Sequence, residues 1–192
     1  MHKKEINSGL ATSYSMFLGS DYPFLSEQKA YFIKEQPYLG LKIIHNIHIT
    51  LSTLCKLDAL FFSGADITVT ATRDLMRAPE AMKLLSRSNI RFVEPEDLVD
   101  DYDIAMDCCA GLYGKVTPRI GAVELTQTGA VIFKQSPLTY PVISIDDSVS
   151  KQIENFFGTG DGFYRGFKHL TKEDLKGKKV MVFGYGKVGR GI

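Results

Sequence analysis

The sequence predicts an α/β fold in which helices cover a parallel β-sheet. Short apolar or β-branched runs alternate with longer segments whose apolar residues recur at helical spacing, which is typical of parallel strands joined by helical crossovers. The chain has 192 residues, of which 44% are hydrophobic and 23% charged, and this is enough to bury one sizeable core. We therefore expect one domain and part of a second.

The predicted elements begin near residue 21. Residues 1–20 are polar and lack a sustained period, so we expect an N-terminal arm there. Pro79 favours the first turn of a helix, and Asp147 or Ser148 is expected to cap another. The predicted strands are 41–45, 67–71, 90–93, 104–106, 130–133 and 142–145, and the predicted helices are 24–33, 50–62, 79–86, 149–157 and 162–170.

Composition and charge argue against two classes of partner. Lys and Arg number 23 and Asp and Glu 22, so the chain lacks the positive excess that binding to a nucleic-acid backbone requires. Its apolar stretches are far shorter than the ~20 residues of a membrane-spanning helix. Polar residues follow the basic start, where a secretory signal would place its apolar core. We expect a cytoplasmic protein without nucleic-acid or membrane partners.

The cysteines and histidines predict neither a disulfide nor a metal site. Cys55, Cys108 and Cys109 make an odd count, and the adjacent pair lacks the spacing of a disulfide framework or of metal ligands. We expect reduced, mostly buried thiols. His45 and His48 have no carboxylate or cysteine partner nearby in the sequence, so no metal is predicted.

A glycine-rich segment lies at the end of the chain. Residues 184–189 read Gly-Tyr-Gly-Lys-Val-Gly and follow an apolar segment, 180–183, that we predict to be a strand. Such glycines permit the tight turn and the close approach of a pyrophosphate that open a Rossmann dinucleotide-binding domain. The chain ends at Ile192, before the helix and the acidic residue that would complete this site. The isolated chain is therefore expected to bind NAD weakly and to be inactive.

Three segments together resemble the S-adenosylhomocysteine hydrolase family. His48 and Thr50 lie in a His-x-Thr motif like that of the family's substrate domain. Residues 147–151, Asp-Ser-Val-Ser-Lys, resemble its Asn-Asp-Ser-Val-Thr-Lys segment, and residues 184–191 resemble its Gly-Tyr-Gly-x-Val-Gly-Lys-Gly loop. The resemblance implies a Rossmann-like substrate-binding domain at 21–176. It also implies that 177–192 supply the first strand and glycine loop of an NAD-binding Rossmann domain.

The resemblance further implies an activity in one-carbon metabolism. The family reversibly hydrolyses the thioether of S-adenosylhomocysteine through a 3′-keto intermediate formed with NAD, usually as a homo-oligomer, while the protein supplies acids, bases and orientation. The implied catalytic residues are Lys151, which would lower the pKa of the ribose hydroxyl, Glu154 and His48. These residues and Thr50 would bind the nucleoside thioether. The implied cofactor-binding residues are Thr126, Gln127, Thr128, Asn155, Gly184, Gly186, Lys187, Val188, Gly189, Arg190 and Gly191.

Five positions depart from the family pattern. Cys108 stands where the family has an aspartate near the proton-abstraction site, and Ser52 and Leu125 stand where it has glutamates near the adenine and the ribose. Thr159 replaces a cysteine and Arg73 an asparagine. Because each unpaired hydroxyl in a closed site costs about 1–3 kcal/mol, such a pocket holds a ribose diol differently.

Several alternatives therefore stay open. The substrate could be a related nucleoside, or the protein a broader NAD-dependent oxidoreductase of the 2-hydroxyacid dehydrogenase type. A non-catalytic homologue that binds a ligand or partner is a third alternative. Taken alone, Lys151 would be a solvated surface lysine and Cys108 a packed thiol.

Overall fold

The computed structural model describes residues 23–72 and 74–192. The chain falls into two compact units, one ending at Ile143 and the other comprising Ser144–Ile192. The predicted arm at 1–20 and Arg73 lie outside the described residues. The domain boundary expected after residue 176 stays a prediction.

The first unit is built on a six-stranded sheet. Its strand order is β3-β2-β1-β4-β5-β6, which is the Rossmann order. The pairs β1–β2, β1–β4, β2–β3 and β4–β5 are parallel, so the predicted fold class is confirmed. The strands are β1 (Lys42–Asn46), β2 (Asp66–Thr70), β3 (Arg91–Phe92), β4 (Ile104–Asp107), β5 (Gly121–Glu124) and β6 (Val142–Ser144).

The helices begin where side chains satisfy their first backbone N–H groups. Thr50 and Thr53 form a capping box before α2, Pro79 opens α3, and Ser148 accepts the N–H of Lys151 to cap α5. None of the helices described is both long and apolar enough to cross a bilayer. The helices are α1 (Pro23–Glu35), α2 (Leu51–Phe61), α3 (Pro79–Leu85), α4 (Gln127–Gln135), α5 (Val149–Ile153), a π-helix (Glu154–Gly158), α6 (Thr159–Thr171) and α7 (Lys187–Gly191).

Apolar side chains cover both faces of β1. Ile43 packs with Leu54 and Leu57 of α2 in one core, and Ile44 packs with Leu112 in the other. Both isoleucines are fully buried, as expected for the central strand of a parallel sheet. The loop that follows the carboxyl end of β1 is therefore attached to a tightly packed strand.

The strand predicted at 130–133 is wrong, because these residues lie in α4. Thr126 caps this helix by accepting the N–H of Gly129. Ala130 and Phe133 are buried whereas Val131 and Ile132 are exposed, which is the spacing of a helix face. The fifth strand is instead Gly121–Glu124, which the sequence did not indicate.

Two expectations for the second unit also need correction. Residues 180–183 form no strand with any described residue, and Phe183 is 91% exposed, because a strand needs a neighbour to accept its hydrogen bonds. The chain was expected to end before the helix that follows the glycine loop, yet α7 begins at Lys187. The predicted helix at 149–157 is α5 followed by the π-helix.

Candidate active site

The order in which the chain adds strands to the sheet reverses between β1 and β4, which is the switch point of the sheet. After β1 the chain adds β2 and β3 on one side, and then returns to add β4 and β5 on the other. Ligands of open α/β sheets bind at such a point, outside the carboxyl ends of the strands. Here the segments leaving β1 and β4 are residues 47–50 and 108–112, and we call the space they border the crevice.

His48 and Thr50 lie on the β1 side of the crevice. The exposed His48 accepts the N–H of Met76 at its Nδ1, at 2.9 Å, so the neutral ring carries its proton on Nε2. Thr50 Oγ1 accepts the N–H of Thr53 and lies 3.0 Å from Ser52 Oγ. A histidine with an N–H donor and two neighbouring hydroxyl groups therefore lie where the sequence predicted substrate-binding residues.

Asp107, at the end of β4, is a buried carboxylate that the sequence analysis missed. Its Oδ1 accepts Asn46 Nδ2 at 2.8 Å and the N–H of Cys108 at 2.7 Å, and its Oδ2 accepts the N–H of Leu112 at 3.0 Å. Burial outweighs these donors and raises the pKa of Asp107 to about 6. Asp107 thus fixes the start and the end of the 108–112 segment.

Glu124, at the end of β5, holds the middle of the same segment. Its fully buried carboxylate accepts the N–H groups of Cys109 and Ala110 at 3.1 and 3.0 Å. It also accepts the N–H and the hydroxyl of Thr126, at 2.7 and 2.6 Å. Glu124 therefore supports the site without facing a ligand. In the sequence, Glu124 could have been recognised as an acidic residue directly after an apolar segment.

The Cys108–Gly111 turn needs an unusual backbone. Cys109 and Ala110 have positive φ angles of 61° and 51°. A Cβ at Gly111 would lie 2.6 Å from Asn46 Nδ2 and would overlap Thr72, so only glycine fits there. The hydrogen bonds to Asp107 and Glu124 stabilise this conformation.

Cys108 and Cys109 at the turn are free thiols in the structure. No disulfide forms, Cys108 is 2% exposed and Cys109 is partly exposed. Burial is the main cause that raises the pKa of Cys108 to about 12, and the negative charge of a Cys109 thiolate adds to it. Cys108 is therefore a neutral thiol at neutral pH, whereas the aspartate at this position of the family pattern would be charged.

Two further titratable groups lie near Cys108 on the α2 face of the sheet. Burial lowers the pKa of Lys56, although attraction to Cys108 opposes the shift. Burial, and secondly repulsion by Lys56, lowers the pKa of His45 well below its usual value. His45 Nδ1 bonds the carbonyl of Met106 at 3.2 Å, so it is a neutral structural donor. Among the described residues no three His, Cys, Asp or Glu side chains are grouped as metal ligands would be.

The predicted cofactor-binding segment after β5 is only partly accessible. Leu125 packs against the apolar core. The Thr126 hydroxyl is occupied by Glu124 and by the N–H groups of Cys109 and Gly129. Gln127 and Thr128, in contrast, are exposed on the first turn of α4. Thr126 therefore has a structural task in addition to any contact with a cofactor.

The second unit contains the predicted catalytic lysine. Lys151 Nζ forms an ion pair with Glu154 Oε2 at 2.6 Å, and the Lys151 side chain is only 17% exposed. Lys151 is therefore more buried than the solvated surface lysine that the sequence alone would suggest. Asn155 follows in the π-helix, a distortion that is frequent at functional sites.

The backbone of the glycine loop makes close approaches that exclude side chains at two of its glycines. Gly184 has φ of 102°, and a Cβ at Gly189 would overlap the carbonyl of Gly184. At Gly186 an added Cβ would meet no atom within 4 Å, so the loop is open on that side. Gly191 lies so close to the carbonyl of Phe156 that no side chain fits between them. The helix α7 therefore packs closely on the π-helix that carries Asn155.

The two cations of this loop have different surroundings. Lys187 Nζ donates to the carbonyl and the Oδ2 of Asp146, at 2.9 and 2.7 Å. The carboxylates of Asp146 and Asp147 raise the pKa of Lys187. The guanidinium of Arg190 lies 6.0 Å from the ring centres of Phe156 and of Tyr185. A cavity of about 550 Å³ is lined by Val149, Gln152, Ile153, Phe156, Phe157, Lys187 and Arg190.

The predicted site residues therefore fall into two groups. His48, Thr50 and Thr126–Thr128 belong to the first unit, around the switch point of its sheet. Lys151, Glu154, Asn155 and the glycine loop belong to the second, where α7 packs on the π-helix that carries Glu154 and Asn155. Their catalytic and binding roles stay predictions.

Comparison with known proteins points to one family. The chain is 31% identical over 194 residues to an adenosylhomocysteinase of Sulfurisphaera tokodaii, covering 88% of this chain and 47% of that protein. It is 29% identical over 200 residues to an adenosylhomocysteinase of Nostoc sp., covering 90% and 47%. It is also 29% identical over 197 residues to an S-inosyl-L-homocysteine hydrolase of Methanosarcina acetivorans, covering 88% and 48%. No protein-family model matches. The chain spans about half the length of these curated relatives.

Proposed function

We propose that the chain is a divergent member of the adenosylhomocysteinase family and that it serves NAD-dependent, reversible hydrolysis of a nucleoside thioether of homocysteine. Its 31% and 29% identity to two adenosylhomocysteinases supports this proposal. The observation that carries the proposal is the position of the predicted substrate residues at the switch point of a sheet with Rossmann strand order. Relatives named for adenosyl and for inosyl substrates support a purine nucleoside thioether.

In the first unit, His48 and Thr50 would bind the nucleoside. The Met76 N–H occupies His48 Nδ1, so His48 Nε2–H is the donor offered to a hydroxyl or a ring nitrogen. Asp107 and Glu124 are occupied by the loop, so they hold the Cys108–Gly111 turn in place and do not bind the nucleoside.

In the second unit, Lys151 would favour deprotonation of the ribose 3′-hydroxyl, and Glu154 would hold its ammonium in position. Asn155, Gly184, Gly186, Gly189 and Gly191 would bind NAD. NAD, when bound, supplies a reversible hydride acceptor.

The Ser52 position favours an inosyl substrate as a second candidate. A carboxylate near the purine, as in the family pattern, accepts from the amino group of adenine. The Ser52 hydroxyl, 3.0 Å from Thr50 Oγ1, has a donor as well as acceptor sites and is able to serve the carbonyl of a hypoxanthine base.

Calorimetric titration with adenosine and inosine tests the substrate class. We expect binding of at least one nucleoside, and His48→Ala should weaken it roughly tenfold, the value of one good hydrogen bond. His169→Ala is the matched control, because His169 is exposed near the end of α6. Failure to bind either nucleoside would reject the proposal.

NADH absorbance after mixing the full-length protein with NAD and nucleoside tests the chemistry. Lys151→Ala should abolish cofactor reduction, and unchanged reduction would refute the role of Lys151. Reduction by a 2-hydroxyacid without a nucleoside would favour the dehydrogenase alternative. Nucleoside binding without any reduction would favour a non-catalytic homologue.

A further inference from the structure

Cys108 and Cys109 form a pair of adjacent thiols that the proposed chemistry does not use. Their Sγ atoms are 3.9 Å apart and in contact through an S–H group. Cys108 is buried, Cys109 is partly exposed at the crevice, and no disulfide joins them. Cys55 is buried in α2, on a different element.

We propose that Cys108 and Cys109 are a thiol modification site, at which a small-molecule disulfide such as oxidised glutathione produces a reversible Cys108–Cys109 disulfide. We further propose that this bond weakens ligand binding at the crevice. The second statement rests on the proposed function, whereas the first does not.

The reaction proceeds in two exchanges. The more accessible Cys109 loses its thiol proton and attacks one sulfur of the small disulfide, which forms a mixed disulfide and releases one thiol. Cys108 then loses its proton and attacks Cys109 Sγ, which forms the Cys108–Cys109 bond and releases the second thiol. One disulfide and two protein thiols thus become one protein disulfide and two small thiols.

The surroundings favour Cys109 as the first nucleophile. Burial, Glu124 and Asp107 all disfavour the Cys108 thiolate. Once Cys109 is in the mixed disulfide, its own negative charge and its hydrogen bond to Cys108 no longer oppose ionisation of Cys108. Lys56 provides a neighbouring positive charge on the same face of the sheet.

Covalent geometry makes such a bond easy to reduce. Adjacent Cα atoms are about 3.8 Å apart, whereas disulfides usually join Cα atoms at least about 4.4 Å apart. Bonds outside the favoured geometry are more reducible, and these are the labile, regulatory disulfides.

Closure of the bond would alter the wall of the crevice. The two sulfur atoms must approach from 3.9 Å to about 2.05 Å, which requires rotation around the Cys108–Cys109 peptide. The N–H of Cys109 donates to Glu124 and Thr126, and the N–H of Ala110 donates to Glu124. Rotation would disturb these contacts, and with them the turn that borders the crevice.

Peptide mass mapping of the native protein after incubation with oxidised glutathione tests the modification. Remaining thiols are alkylated after denaturation. Trypsin cleavage after Arg91 and Lys115 places Cys108 and Cys109 on one peptide, while Cys55 lies on the peptide that ends at Lys56. We expect the 92–115 peptide to lose two hydrogen atoms and to escape alkylation, in a manner reversed by dithiothreitol. Two alkylated thiols, or only a stable glutathione adduct, would overturn the proposal.

Variants separate the steps. Cys109→Ser should abolish the change, Cys108→Ala should stop it at a mixed disulfide on Cys109, and Cys55→Ser should leave it intact. Should these variants not fold, phenylarsine oxide gives a measurement on the unaltered protein, because its single arsenic binds two neighbouring thiols and releases water. Lack of an arsenic adduct on the 92–115 peptide would then refute the pairing.

Titration of reduced and oxidised protein with the nucleoside tests the effect on binding. We expect at least tenfold weaker binding after oxidation, and equal affinities would overturn this part. If even the reduced protein binds no nucleoside, the proposed function fails while the peptide masses still decide the modification.

Discussion

Gly129→Ala tests whether the buried Glu124 holds the candidate site together. Gly129 is the third residue of α4, and a Cβ added there would overlap the carboxyl carbon and both carboxyl oxygens of Glu124. The Glu124 side chain is fully buried, so it has no open space into which to move. The substitution must therefore displace the carboxylate or the start of the helix.

The cost follows from the hydrogen bonds of Glu124. Displacement weakens its bonds to the N–H groups of Cys109 and Ala110, and bonds to a charged acceptor contribute about 1.5–3 kcal/mol each. Alanine recovers up to about 1 kcal/mol through its higher helix propensity. We expect a net loss of about 2 kcal/mol or more, which lowers the melting temperature by roughly 4–8 °C.

Urea unfolding followed by circular dichroism measures this loss. The matched control is Gly166→Ala in α6, where an added Cβ meets no atom within 4 Å, so stability should stay the same or rise by up to about 1 kcal/mol. In a Glu124→Asp background the shorter side chain should make Gly129→Ala less costly. The reasoning is refuted if Gly129→Ala and Gly166→Ala have equal stability.

Two further predictions concern titration and local opening. Because the folded protein raises the pKa of Asp107 to about 6, its contribution to stability is full below pH 4 and is lost as pH rises towards 6, by about 3 kcal/mol. Asp107→Asn should lack this loss of stability. If the free energy of unfolding of both proteins changes equally between pH 4 and pH 6, the prediction is wrong. Lys187→Met should speed amide hydrogen exchange at residues 146–148, because it removes two hydrogen bonds to Asp146. Lys176→Met, on the exposed surface, serves as the control and should change nothing there.

The sequence predicted the elements whose signals are local. Pro79 and Ser148 act within one turn and occupy their expected positions, Pro79 in the first turn of α3 and Ser148 as the cap of α5. Thr50, predicted as the first residue of a helix, instead caps α2. The β-branched residues of β2 and the apolar run of β1 likewise predicted central strands.

The secondary-structure predictions fail where contacts with distant parts of the chain determine the conformation. Ala130–Phe133 has the composition of a buried strand, but the Thr126 cap and Glu124 below Gly129 place it in a helix. Residues 180–183 have strand composition without a described strand to pair with. The composition of a segment does not show whether a partner lies beside it.

The candidate site shows the same limit. His48 and Thr50 were recognised through a short motif, and their position at the crevice agrees with that motif. Asp107 and Glu124 were not among the predicted site residues, and their importance lies in N–H groups up to 15 residues away in the chain. Such side chains are recognised only once the turn that they hold is known.

In the second unit, backbone atoms alone determine how closely α7 approaches its neighbouring helices. A Cβ at Gly160 would collide with the carbonyl of Gly191, and one at Gly191 with the carbonyl of Phe156. The distances from α7 to the π-helix and to the start of α6 are thus those between bare backbones. We therefore expect substitutions of the surrounding aromatic residues to leave these distances unchanged, as long as positions 160 and 191 remain glycine.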